Sequence, residues 1–445
     1  MEKNLTEGSI SKNLIFFSLP YLLSYFLQTL YGMADLFIIG QFENASVISA
    51  VSIGSQIMHM FTVIIVGLAM GSTVLIGQAV GAKKQEDFSK VLGNSIIIFV
   101  IFSIFLTFIT QIFCPQIIKL VSTPKESLEQ TNFYLRICFA GIPFIVAYNV
   151  IASIYRGMGD STSPMIFIII ACVLNIILDV IFIGLFKMKA IGAASATIIS
   201  QTVSVIISLI CFSKSKQKIK LHKTDFKLSK NVTKNILKIG IPVACQDGFI
   251  QISFLIITTI ANKRGVDIAA AVGIVEKIIS FLFLIPSSML SAISAIGAQN
   301  IGAGFRDRAK KTLWLGIKIT FTIGLIFAIS FQFLAEPVLK LFTRENEVIK
   351  LGTQYLKSYV FDCVFAAIHF CFSGYFCALG KSIISFIHNI ISVIFVRIPG
   401  VYLASKLWQE SLFQMGFAPP LGSLLSAIIC VIAFIIIEKS EKCKN

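Results

Sequence analysis

Twelve apolar runs, each about 20 residues or longer, leave this chain few ways to fold, because segments of that length and character bury their peptide groups as helices across a lipid bilayer. They fall at 14–40, 48–80, 91–114, 133–156, 164–187, 191–213, 235–261, 268–300, 312–334, 353–379, 383–407 and 416–437. Hydrophobic residues make up 56% of the chain and charged ones 13%, far from soluble usage. No ten-residue alternation of a membrane barrel occurs. The expected class is an all-α polytopic membrane protein with twelve transmembrane helices. The polar start, Met1 to Lys12, runs into a span too long for a signal core and is expected to be retained.

A net charge of +16 invites a nucleic-acid reading, but the placement of the charge argues otherwise. Alternate loops, including those with Lys83, Lys84, Lys90 and the lysines beyond 438, carry roughly twice as many basic residues as the loops opposite. Both termini are therefore expected in the cytoplasm, with the basic loops against anionic lipid and no nucleic-acid partner. The ten cysteines are scattered without C-x-x-C spacing and read as packing residues. There is no H-E-x-x-H, G-x-S-x-G or G-x-G-x-x-G, and Gly374 to Ser382 has one residue too many between its glycines for a phosphate loop. No enzyme, cofactor or structural metal is expected. An ion gradient is left as the energy source.

The chain is duplicated. At an offset of 221, Ala50-Val51 meets Ala271-Val272, Gln78 meets Gln299, Gly81-Ala82 meets Gly302-Ala303, Tyr134-Leu135 meets Tyr355-Leu356, and Gly159 meets Gly380; at 222, Pro20 meets Pro242. The expected organisation is an N-lobe at 1–213, a basic cytoplasmic linker at 214–234 and a C-lobe at 235–445. Six spans per repeat give both lobes the same orientation. Two parallel pseudo-symmetric lobes around a central cavity suit a secondary transporter, and one chain then supplies both halves, so a functional monomer is expected.

Ionisable residues inside spans mark candidate sites, since each is costly in lipid. Between Pro164 and Phe186 the only one is Asp179, and Asn175 precedes it by four residues on the same helix face. Asp35 lies fifteen residues beyond Pro20 in the first span, in an outward-running half like that of Asp179. Two carboxylates brought together in low dielectric resist joint ionisation, so one holds a proton; alternatively, with Asn175, they ligate sodium. A duller reading has Asp35 snorkelling at its helix end, with Gly32 and Ala34 serving close packing. The second half offers Asp247, Glu276, Asp362 and His369, with Lys277 and Arg397 nearby. Interhelical hydrogen bonding explains each of these as readily as function does. The 40 phenylalanines mostly face lipid or pack helices on this reading, while a minority with methionine would suit lipophilic cations.

Met33-Ala34-Asp35-Leu36-Phe37-Ile38-Ile39-Gly40, Gly77-Gln78-Ala79-Val80-Gly81, Arg156-Gly157-Met158-Gly159-Asp160-Ser161 and Leu174-Asn175-Ile176-Ile177-Leu178-Asp179 together resemble the multidrug and toxic compound extrusion (MATE) transporters, over essentially the whole chain. The resemblance implies a bacterial cytoplasmic-membrane antiporter that exports cationic small molecules against protons or sodium. It is nearer the DinF-like branch, which implies an ion site of Asp35, Asn175 and Asp179, supported by Tyr134 and Thr197, with a first helix that bends at Pro20. The acidic positions of the NorM-like branch are occupied by Ile250 and Ile368, which puts a second-lobe sodium site of that kind in doubt. A flippase or exporter of lipid-linked or other amphiphilic metabolites is the alternative, kept open by Arg136, Lys277, Lys318 and Arg397. A major-facilitator transporter would need a basic G-x-x-x-D-R loop that Gly81 to Asp87 does not supply.

Overall fold

The computed structural model describes residues 4–121, 123–214 and 223–442. Lys3, His222, Lys444 and the linker lysines at 216, 218 and 220 lie outside them. Among the described residues there is no strand, and the helices long and apolar enough to cross a membrane are α1 (Ile10–Phe42), α2 (Ala45–Gly81), α3 (Gln85–Ile112), α5 (Thr162–Leu185), α6 (Lys189–Ser213), α7 (Lys230–Asn262), α8 (Val266–Gly302), α9 (Arg306–Lys340), α11 (Ile383–Leu407) and α12 (Met415–Glu441). Two bent pairs complete the twelve: α4 (Lys125–Ala140 with Ile142–Gly157) and α10 (Asn346–Tyr359 with Asp362–Ala378). Large apolar side chains such as Phe37, Phe108, Phe333 and Phe395 stand exposed, as a lipid-facing surface requires.

The spans expected at 133–156 and 353–379 are each bent. The bends are 47° in α4 and 41° in α10. In α4 the cause is local: Gly141 occupies the break and Pro143 lacks the N–H that would bond back across it. In α10 there is no proline. The second piece opens with Asp362, whose carboxylate sits where free backbone N–H groups and the helix dipole favour negative charge.

Contacts divide the chain into two compact units, one running Leu19–Gly240, the other combining Leu5–Ser18 with the chain from Ile241 onward. The first turns of α1 thus pack in the second unit and those of α7 in the first. Each change of unit falls within two residues of a proline, Pro20 or Pro242, and both helices continue through it. Inside the first unit, α7 meets α2 backbone to backbone: a Cβ on Gly240 would lie 2.2 Å from the Leu68 carbonyl oxygen, and one on Gly71 equally close to that of Ile236. The end of the linker is docked on α3, where Asn94 accepts from the Ser229 N–H at 2.7 Å and donates to the Lys227 carbonyl at 3.3 Å.

Duplication shows in how the two units solve the same packing problem. A Cβ on Gly157 of α4 would come within 2.8 Å of Ile76 of α2; at the offset of 221 the counterparts are Ala378 and Gly297, where a Cβ on Gly297 would lie 2.9 Å from that of Ala378. The small residue has moved from one helix to the other and the close approach is kept. Gly159 and Gly380, also counterparts, both adopt positive φ, 91° and 70°, at the turns that follow α4 and α10.

Candidate functional site

In the first unit the structure brings together the residues singled out on α1 and α5. Asp35, Asn175 and Asp179 are all buried, at 1%, 0% and 0% exposure, and the Asp35 carboxyl faces both Asp179 and Asn175 at close range. Two carboxylates cannot donate to each other, so the contact between them becomes a hydrogen bond only when one carries a proton. Among the described residues no donor is seated on Asp35 Oδ1 or on either Asp179 oxygen, and both amide atoms of Asn175 are also unpartnered. The α5 helix loses its regular turn immediately after Asp179, Val180–Leu185 being π-helical, a distortion that recurs at functional positions.

α6 supplies the remaining contact. Thr197 Oγ1 reaches Asp35 Oδ2 at 3.4 Å while donating to the Ala193 carbonyl at 2.9 Å. Tyr134 is buried on α4, its hydroxyl 3.0 Å from Ser55 Oγ, and its ring lies against Gly54, where a Cβ would come within 2.2 Å. Tyr134 is in electrostatic range of Asp35 and does not touch it. Tyr31, one helical turn before Asp35, donates to the Thr197 carbonyl at 3.3 Å and lies 3.2 Å from Ser200 Oγ. Sequence reasoning missed Tyr31 and Ser200. Their spacing, four before Asp35 and three after Thr197, was the available signal. Gly32 marks no close helix contact, since a Cβ there would meet nothing within 4 Å.

The second unit holds a different assembly. Asp362 and Arg397, at 0% and 6% exposure, form an ion pair with Nη2 and Oδ2 2.5 Å apart. Glu276 accepts from Thr258 Oγ1 at 2.9 Å and is in electrostatic range of Arg397. Tyr355 and Tyr359 pack edge to face, centroids 5.4 Å apart, in range of all three charges. The Arg397 guanidinium lies 5.8 Å from the Phe254 ring centroid and ends a second π-helical segment, Val393–Arg397. His369 packs edge to face on His388, ring centroids 5.5 Å apart, and His388 Nε2 is 2.9 Å from Ser373 Oγ. Asp247 is half-buried on α7, with no ion-pair partner among the described residues.

The family model described as MatE matches twice, over residues 20–181 and 242–403, both ends displaced by 222 residues. The chain belongs to the MATE family. Relatives within it include the probable multidrug resistance protein YoeA of Bacillus subtilis, 28% identical over 79% of this chain and 77% of that one, and the multidrug export protein MepA of Staphylococcus aureus, 25% identical over 84% and 83%. Two solved structures share the MATE fold at a TM-score of 0.91, each aligned over 98% or more of both chains. One is described as the outward-facing conformation of a multidrug resistance MATE family transporter, 23% identical, and the other as MATE in the bent conformation, 22% identical.

Proposed function

We propose that the chain is a secondary multidrug exporter that moves lipophilic organic cations out of a bacterial cell in exchange for protons or sodium ions, with Asp35, Asn175 and Asp179 as the ion site. One observation carries the reading: two facing carboxyls buried on α1 and α5 with no basic side chain among the described residues in contact with either. Such a pair is stable only when it takes up positive charge, as a proton on one carboxyl or as a sodium ion that also uses the Asn175 oxygen. A cationic substrate and the coupling ion then oppose each other electrostatically, and their alternation is antiport. Thr197 supports Asp35 directly, Tyr134 lies in electrostatic range of it, and Pro20 gives α1 a place to adjust as the charge changes.

The names of YoeA and MepA support drugs as substrates. On this reading the protein works as a monomer in the cytoplasmic membrane with both termini inside, its lobes at 1–213 and 235–445 joined by 214–234. An exporter of anionic amphiphiles would need buried cations without partners. Arg397 is held by Asp362, Arg136 donates to Asn132, and Lys277 and Lys318 are exposed, which weighs against it.

The test is ethidium efflux from vesicles under separately imposed proton and sodium gradients. Wild type should export against one of them, and the Asp35→Asn and Asp179→Asn chains should insert normally and export nothing. Equal export by wild type and both variants would overturn the assignment.

A further inference from the structure

The polar assembly in the second unit is more than a salt bridge between α10 and α11. It contains two acids and one cation: Asp362 and Arg397 cancel, and Glu276 brings a further negative charge from α8. Five polar atoms in it have no hydrogen-bond partner among the described residues, namely Glu276 Oε1, Asp362 Oδ1, Arg397 Nε and the hydroxyls of Tyr355 and Tyr359. Buried polar groups with a purely structural role are normally satisfied, so unspent capacity converging from three helices marks a place where partners change.

We propose that the second unit contains a proton-exchange site of its own, in which Glu276 takes one proton from the aqueous phase and returns it beside the fixed Asp362–Arg397 pair. One proton makes the assembly neutral, and the adjacent guanidinium disfavours a metal ion as the carrier. Glu276 is the carboxyl suited to exchange because it is only half-buried, has no ion-pair partner among the described residues and leaves Oε1 without a hydrogen bond, whereas Asp362 is fully buried and held by Arg397. The groups in range of it are Thr258 on α7, Tyr355 and Tyr359 on α10 and Arg397 on α11, which in turn holds Asp362. Its neighbour on α8, Lys277, is exposed, and His369 faces the site through Arg397. The two phenol hydroxyls, without partners among the described residues, lie in electrostatic range of the carboxylate. No bond other than that to the proton is made or broken.

Ser55 and Tyr134 are the counterparts of Glu276 and Tyr355 at the offset of 221, so the first unit has a hydroxyl where the second has the proposed carrier. The proposal stands apart from the transport reading, because it concerns the resting protein and is read without substrate.

Infrared difference spectra of the purified chain between roughly pH 6 and pH 9 leave ordinary surface carboxylates ionised throughout and isolate the exchanging ones. Of the carboxylic-acid bands that persist in the Asp35→Asn/Asp179→Asn chain, one should disappear when Glu276→Gln is added and shift without disappearing with Glu276→Asp. If the double variant does not fold, Glu276→Gln in the otherwise intact chain should remove the same band. A full set of bands after Glu276→Gln overturns the proposal. So does a band that survives Glu276→Gln and is lost with Asp362→Asn, which would put the proton on the other acid.

Discussion

The two units are built on one plan and carry different sets of buried charges. Tyr134 and Tyr355 occupy matching places, α4 and α10 break at matching places, and α5 and α11 each carry a π-helical segment beside their polar residue. At the displacement of the two family-model matches, Arg397 stands where the first unit has Asn175. An amide beside two carboxyls leaves a net negative pocket, whereas a guanidinium beside two carboxyls leaves one charge to be balanced. Duplication has kept the helix breaks and the matching tyrosines and changed the polar groups beside them, which separates scaffold from chemistry within a single chain.

The comparison breaks most sharply on its acids. Asp35→Asn or Asp179→Asn should reduce driven efflux to the level of empty vesicles while leaving thermal unfolding in detergent unchanged or slightly later, because each relieves repulsion between buried like charges. Asp362→Asn should behave the other way, unfolding earlier because Arg397 loses its partner. Parallel transport and melting assays check both halves of the contrast; loss of stability in the Asp35→Asn chain would show the first pair to be structural.

The next largest effect is on the ion pair itself. Arg397→Met should cost about 3–5 kcal/mol, the usual penalty for stranding one member of a buried pair, and adding Asp362→Asn should recover most of it. Denaturant titration of the single and double variants gives the coupling directly. Additive losses would mean that the 2.5 Å contact contributes nothing.

How much of this could be read beforehand follows from the kind of signal each feature leaves. Asp35, Asn175 and Asp179 were legible because a carboxylate in an apolar run is rare and a spacing of four fixes its neighbour. Glu276, Asp362 and Arg397 were visible as buried charges, but their association was not, since it depends on how three helices pack. The break at Gly141 is written in its glycine and proline; that before Asp362 has no glycine or proline to mark it. Thr197 and Tyr134 came only from resemblance, because hydroxyls in helices of small residues are too common to stand out. The exchange of the first turns of α1 and α7 between units leaves no local trace beyond the two prolines.

A smaller effect tests the shared packing. Gly297→Ile should overpack α8 against α10 and cost about 1–3 kcal/mol, and adding Ala378→Gly, which recreates the arrangement of Ile76 and Gly157, should restore part of the loss. Full additivity of the two changes would mean that the contact is not equivalent in the two units.

The smallest effect concerns a turn where the repeats differ by one side chain. Lys83 has a φ of 56° after α2, and its counterpart after α8, Gly304, has a φ of 80°. A left-handed conformation costs a residue with a Cβ about 1–2 kcal/mol, so the first turn carries strain that glycine removes from the second. A Cβ at Gly304 would meet nothing within 4 Å, so Gly304→Ala changes the backbone preference without a clash. Lys83→Gly should therefore stabilise the chain by a fraction of that amount, reduced by the greater freedom of glycine when unfolded, and Gly304→Ala should destabilise it by a similar amount. Opposite shifts in melting temperature from the two changes would place the strain in the turns; shifts of the same sign would place it in contacts made by the Lys83 side chain.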